Sequence, residues 1–173
     1  LPPLTLVNVY NTNTKWLVKM VDVLIQLVDT PNVCDVYGWS PLMHTAARMN
    51  QPTDMGRTAM LHVAQLLLDS KADIFNKDKS AQTALHLAAG SGACDLVKLL
   101  IDRGAVSSDK AIDGSTALHC AAHEGKEAVV KALIDAGADV RTEDNFKRTA
   151  EALAHTNGYR RIEEMLHTEE TRR

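Results

Sequence analysis

Seven histidines, three cysteines and a scatter of aspartates are the residues in this 173-residue chain that could do chemistry. His119 and His123 stand four apart on a stretch patterned as a helix, a spacing that can hold a divalent metal on one face. No glutamate or cysteine completes a recognised metal motif around them, so no metal site is expected. Cys120 lies between them. A thiolate nucleophile needs a neighbouring base and a group to orient it, and a helix sets the Cys120 and His119 side chains about 100° apart. Cys120 therefore reads as a buried or partner-facing thiol. Gly90-Ser91-Gly92 follows a helical segment rather than a strand, which removes the phosphate-binding context and leaves a tight turn. Asp102 and Asp135 follow aliphatic runs and read as solvated positions rather than an acid/base pair. No catalytic residue and no cofactor is expected.

Composition narrows the class further. Hydrophobic residues make up 45% of the chain but aromatics only 4%, a balance that suits helices packed closely through small side chains. The formal net charge is −3 with acids and bases interspersed, so no basic face offers itself to nucleic acid. Cys34, Cys94 and Cys120 are an odd set without a C-x-x-C pair, which indicates neither a disulfide framework nor a zinc site. They fit a reducing, intracellular compartment, cytoplasmic or nuclear. The most apolar run, Trp16 to Val28, carries Lys19, Asp22 and Gln26 and is too short to span a bilayer. No secretory signal is visible, and a start at Leu1 rather than Met suggests a piece of a longer protein.

The elements that must position these residues come from a repeat. Thr83–Ala105 reads TALHLAAGSGACDLVKLLIDRGA, and Thr116–Val140 reads TALHCAAHEGKEAVVKALIDAGADV. Thr83 and Thr116 are 33 apart, as are His86 and His119, Gly92 and Gly125, and Gly104 and Gly137. This pattern resembles the ankyrin repeat, whose signature at this period contains T-P-L-H-x-A. The resemblance implies an all-α fold, an ankyrin-repeat α-solenoid of stacked helix-turn-helix units with β-hairpin tips.

In that register the chain divides into an eroded N-terminal repeat (1–34), a repeat with an inter-helix insertion at about 50–57 (35–77), two regular repeats (78–110 and 111–143) and a capping repeat (144–173). Residues 4–10 read as a short strand or a degenerate helix, and 15–28 as a helix. Ser40 and Pro41 mark a helix start. Ser40 to Thr83 is 43 residues rather than 33. The surplus reads as a loop through Pro52 and Gly56, with helix resuming near Thr58. That insertion is either neutral or functional. Asp78 and Asp144 sit where an aspartate fixes a turn, and Gly114 supplies a positive φ. Gly104 and Gly137 fall at left-handed helix ends; Lys71 takes that place in the first full unit, which predicts a weaker end. The last helix is expected over Tyr159–His167, and the polar stretch 168–173 is expected to fray.

The resemblance further implies that Thr83 with His86, and Thr116 with His119, knit each unit to its neighbour. Met43 and Ala152 stand where the other two units would carry that histidine. The resemblance also places a recognition surface on the tips and the exposed side of each first helix. At the tips these positions are Tyr37, Trp39, Lys77, Lys79, Gln82, Ile112, Asp113, Ser115, Phe146 and Arg148. On the first helices they are His44, Ala47, Arg48, Leu87, Gly90, Ser91, Cys120, His123 and Glu124. Trp39 is either a binding hot spot or a lid packed on the eroded N-terminal unit. The implied function is non-enzymatic protein–protein recognition by a monomeric scaffold, with no direct nucleic-acid contact and no membrane insertion. The alternative is a regulatory or targeting module of a larger enzyme, channel, receptor or transcriptional regulator.

Overall fold

The computed structural model describes residues 31–49 and 54–172. The expectations for residues 4–10 and 15–28 lie outside these. The described residues form eight helices in chain order: α1 (Pro41–Ala47), α2 (Asp54–Asp69), α3 (Ala84–Ser91), α4 (Cys94–Asp102), α5 (Ala117–His123), α6 (Glu127–Asp135), α7 (Ala150–Thr156) and α8 (Arg160–Arg172). Each odd-numbered helix packs on the even-numbered one after it. The pairs then stack, so that α1, α3, α5 and α7 form one row and α2, α4, α6 and α8 the other. This is the all-α solenoid that the resemblance implies.

Small residues permit the stacking. Ala88, Ala89, Ala121 and Ala122 are fully buried, and their single methyls let neighbouring helices approach closely. Leu96 and Leu100 of α4, with Val130 and Leu133 of α6, are also fully buried and fill the space between rows. No helix pair could bury these faces alone, so stability comes largely from nearest-neighbour interfaces. Among the described residues, no helix is long and apolar enough to cross a membrane.

Local rules set where helices begin and end. Ser40 caps α1, accepting a hydrogen bond from the Met43 amide, with Pro41 opening the helix; the proline's missing donor costs nothing there. Gly104 (φ 96°) and Gly137 (φ 84°) close α4 and α6 in the left-handed region. Lys71 closes α2 in the same conformation at φ 64°, keeping the hydrogen bonds of the cap despite its Cβ: its amide and that of Ala72 reach the carbonyls of Leu68 and Leu67 at 3.1 and 2.9 Å.

Three expectations need correction. Helix α2 starts at Asp54, not near Thr58, and runs 16 residues against nine in α4 and in α6. Residues 54–57 therefore lengthen a helix instead of extending a loop. Helix α8 continues to Arg172, so residues 168–172 are helical rather than frayed. Side chains support that last stretch: Arg141 Nη2 donates to the Glu170 carbonyl at 2.8 Å, and Arg172 pairs with Glu169 at 3.0 Å. Third, the tips are tight turns, with no strand among the described residues. Between successive tips a single backbone hydrogen bond is formed, from Lys79 to Tyr37, Ile112 to Ser80 and Asn145 to Asp113. One bond per neighbour is too few to make a ladder.

Candidate partner-binding groove

The groove is built on two buried histidines. His86 and His119 are each 2% exposed. Nδ1 of each accepts the amide of the threonine that precedes its helix, Thr83 at 3.1 Å and Thr116 at 3.2 Å. An accepting Nδ1 puts the proton on Nε2. His86 Nε2 then donates across to the Asp109 and Ser115 carbonyls at 3.1 and 3.2 Å, and His119 Nε2 to the Arg148 carbonyl at 3.1 Å. Each imidazole thus caps its own helix and grips the next tip. Burial lowers both pKa values below the ordinary histidine value, while the carbonyl hydrogen bonds partly offset it.

Where the histidine is missing, the linkage changes. Met43 is buried, and Asn76 Nδ2 donates to its sulfur at 3.3 Å and to the Gly38 carbonyl at 3.1 Å. In the last unit Thr149 caps α7 by accepting from the Ala152 amide.

The tips share one construction at Asp35, Asp78, Ala111 and Asp144. The amide of each donates to the carbonyl four residues on, at 2.9–3.0 Å. In three of them an aspartate Oδ1 collects two further amides: Tyr37 and Trp39 on Asp35, Ser80 and Gln82 on Asp78, Phe146 and Arg148 on Asp144. The fourth has Ala111 there, and Asp113 supplies one such bond, to the Ser115 amide at 2.9 Å. The turn needs a positive φ at its fourth residue. Gly38 and Gly114 provide it, while Ala81 (φ 57°) and Lys147 (φ 61°) adopt it against their side chains.

Burial works to raise the Asp144 pKa, but hydrogen bonds from Arg148 and Phe146, and the Arg148 charge, outweigh it and hold the group below the usual carboxylate range. The Arg148 guanidinium grips that carboxylate through Nε at 2.8 Å and Nη2 at 2.7 Å, and lies 4.8 Å from the Phe146 ring centre.

A groove of about 490 Å³ runs along the row of first helices beneath these tips. Eleven of the residues expected at the recognition surface line it: Ala47, Gln82, Leu87, Gly90, Ser91, Asp113, Ser115, Cys120, His123, Glu124 and Arg148. His86, His119 and Leu153 line it too. Leu153 stands outside the expected surface, yet its register, 33 residues after Cys120 and 66 after Leu87, is a sequence signal for its place here. Ser115, though a tip residue, is buried, and its carbonyl is taken by His86.

The remaining expected residues are not in the groove. Tyr37, Ile112 and Phe146 stand on the tips at 66%, 67% and 68% exposure, presenting apolar surface to solvent. Lys79 is an exposed tip residue, and Arg48 is exposed at the end of α1. Trp39 and His44 have other work: Trp39 Nε1 donates to Asp78 Oδ2 at 3.0 Å, His44 Nε2 lies 2.9 Å from Asp35 Oδ2, and their rings are 5.1 Å apart. Trp39 ties the first tip to the second. The lid role expected for it on residues 1–30 lies outside the described residues.

The Cys120 thiol is pushed up to about 12 by burial and by the charges of Asp113 and Glu124, so it is not a thiolate near neutral pH. Both nitrogens of His119 are engaged, and His123 Nδ1 lies 3.0 Å from Glu124 Oε1. Away from the groove, ligand atoms of Glu151, His167 and Glu170 lie within 4.8 Å of one another. His167 is already bonded to Glu151 at 3.1 Å, and Arg141 Nε lies 3.8 Å from Glu170.

A family model described as ankyrin repeats, in three copies, matches residues 55–144 and again 105–170. No curated protein matches the chain.

Proposed function

Because the chain belongs to the ankyrin-repeat family, whose members are generally non-catalytic protein-interaction modules, we propose that it is a monomeric scaffold. A partner protein binds it along the groove and the tips. The observation that carries this reading is the convergence of eleven expected recognition residues on one groove. Its floor is held by hydrogen-bonded histidines that leave little freedom to lose. A surface ordered beforehand surrenders less entropy on binding, so more of its contact energy appears as affinity. Exposed Tyr37, Ile112 and Phe146 extend the surface from the groove onto the tips, and aromatic anchors are enriched among binding hot spots. In this reading the units are 35–77, 78–110, 111–143 and 144–173, following an eroded unit over 1–34. The odd number of cysteines supports an intracellular, reducing setting.

Filling the groove tests the proposal. A Cβ built on Gly90 meets nothing closer than Glu124 Cγ at 4.0 Å, so Gly90→Leu adds bulk to the groove without breaking the helix. A protein that the unaltered chain retains from lysate and Gly90→Leu loses, with helicity intact by circular dichroism, is the expected result. A partner held equally by both forms would move the site to the tips or to the 50–57 stretch. No partner for either form would count against recognition altogether.

A further inference from the structure

We propose that the groove is selective for a short segment of a partner protein that places a lysine or arginine between Asp113 and Glu124, over Cys120. This rests on the groove being the recognition site and adds the chemistry of what it takes.

Charge is the first argument. Among the described residues, the carboxylates lining the groove are those of Asp113 and Glu124, and the one lysine or arginine lining it is Arg148. Arg148 is already neutralised, with two nitrogens on the buried Asp144 carboxylate at 2.8 and 2.7 Å. His86 and His119 sit below with lowered pKa values and add no positive charge near neutral pH. His123 touches the Glu124 carboxylate from the rim. Among the described residues that line the groove, two acids therefore face it with no unpaired lysine or arginine to balance them. Both act on the same point, since both raise the Cys120 thiol. A cleft lined by one sign of charge and walled by protein focuses that field on whatever enters.

Shape is the second argument. A helix with its side chains is about 10–12 Å across, so a volume of about 490 Å³ takes roughly one turn of it, or a few residues of extended chain. Leu87 and Leu153 with the small Ala47 and Gly90 give such a segment an apolar bed beside the two acids. The occupant is a few residues, apolar at one point and basic at the next.

The test is selection of a phage-displayed random peptide library on the unaltered chain, with Gly90→Leu as the control for groove binding. Peptides that lose binding on Gly90→Leu are expected to share a lysine or arginine at one position. A synthetic copy is expected to bind the Asp113→Asn/Glu124→Gln double variant roughly tenfold more weakly, as loss of two partly solvated charge pairs implies. Replacing its basic residue by norleucine should weaken it equally. Asparagine keeps the acceptor for the Ser115 amide, so the variant should melt with the parent. Groove-dependent peptides with no shared basic residue, or an affinity unmoved by the double variant, would overturn this inference while leaving the groove reading intact. Peptides indifferent to Gly90→Leu, or none at all, would overturn both. Concentration-dependent self-association of the chain that Gly90→Leu abolishes would make a second copy the occupant and also overturn the inference.

Discussion

Four residues apart on one helix, His119 and His123 have opposite fates, and the difference is a matter of register. His119 accepts from the amide that opens its helix and donates to the next tip; His123 faces solvent beside Glu124. Replacing His119 by alanine removes the partner of the buried Thr116 amide and the inter-unit bond to the Arg148 carbonyl, which keeps only its bond from the Asp144 amide. The expected cost is about 2–3 kcal/mol. His123→Ala should stay within about 0.5 kcal/mol, as surface changes do. Thermal melts of the two variants check this, and equal midpoints would refute the assignment. The roles of Thr116 and His119 were legible through the resemblance of their motif to the ankyrin signature, which fixes their place in the unit. The Trp39–Asp78 bond was not: it joins residues 39 apart whose meeting depends on how two tips lie side by side.

Helix ends show the same backbone demand met by different residues. Gly104 and Gly137 close their helices at no steric cost, whereas Lys71 holds φ 64° with a side chain in the way. A left-handed conformation costs a non-glycine residue about 1–2 kcal/mol, part of which glycine returns as unfolded-state entropy. Lys71→Gly should therefore raise stability by about 0.5–1 kcal/mol in urea denaturation. Gly125→Ala should do the reverse and by more. Its φ is +68°, and an added Cβ would stand 2.5 Å from the Tyr159 ring of the following unit. An unchanged midpoint for Gly125→Ala would mean that Tyr159 can move aside freely. The glycine positions were readable from the period, but the reason Gly125 admits nothing larger lies in the next unit. The start of α2 at Asp54 was likewise hidden, because Pro52 and Gly56 signal a loop locally while the finished helix includes Gly56.

Across the whole molecule, pH dependence follows from the two histidines buried at successive interfaces and from the aspartates that hold the tips. His86 and His119 have folded pKa values below the ordinary 6.5. Well above that value neither state binds the proton. As pH falls below it, the unfolded chain takes up protons that the folded chain refuses, so stability declines. Asp35 and Asp144 have folded values below 3.8, and their contribution, present above that value, is lost on further acidification. The urea midpoint should therefore be lower at about pH 5.5 than at about pH 7.5, and fall again below about pH 4. A midpoint constant between the first two would show that the imidazoles protonate without disturbing the interfaces.

The solenoid itself was determined by sequence alone. Its contacts lie within a unit or between neighbours, so one motif repeated at 33 residues specifies each interface wherever it recurs. The turn aspartates and the left-handed glycines follow rules of a few residues' range, and the threonine–histidine pairs follow from the motif's resemblance to the ankyrin signature. Only the tertiary structure decided which exposed positions share a surface. Leu87, Cys120 and Leu153 come from three helices, and they form one groove because stacking aligns equivalent positions. Arg148, placed at a tip by sequence, is bound to Asp144, and Asp113 and Glu124 face the same space from a tip and a helix end. A linear pattern lists such side chains; which of them are already engaged, and which face one cavity together, depends on the directions that packing imposes.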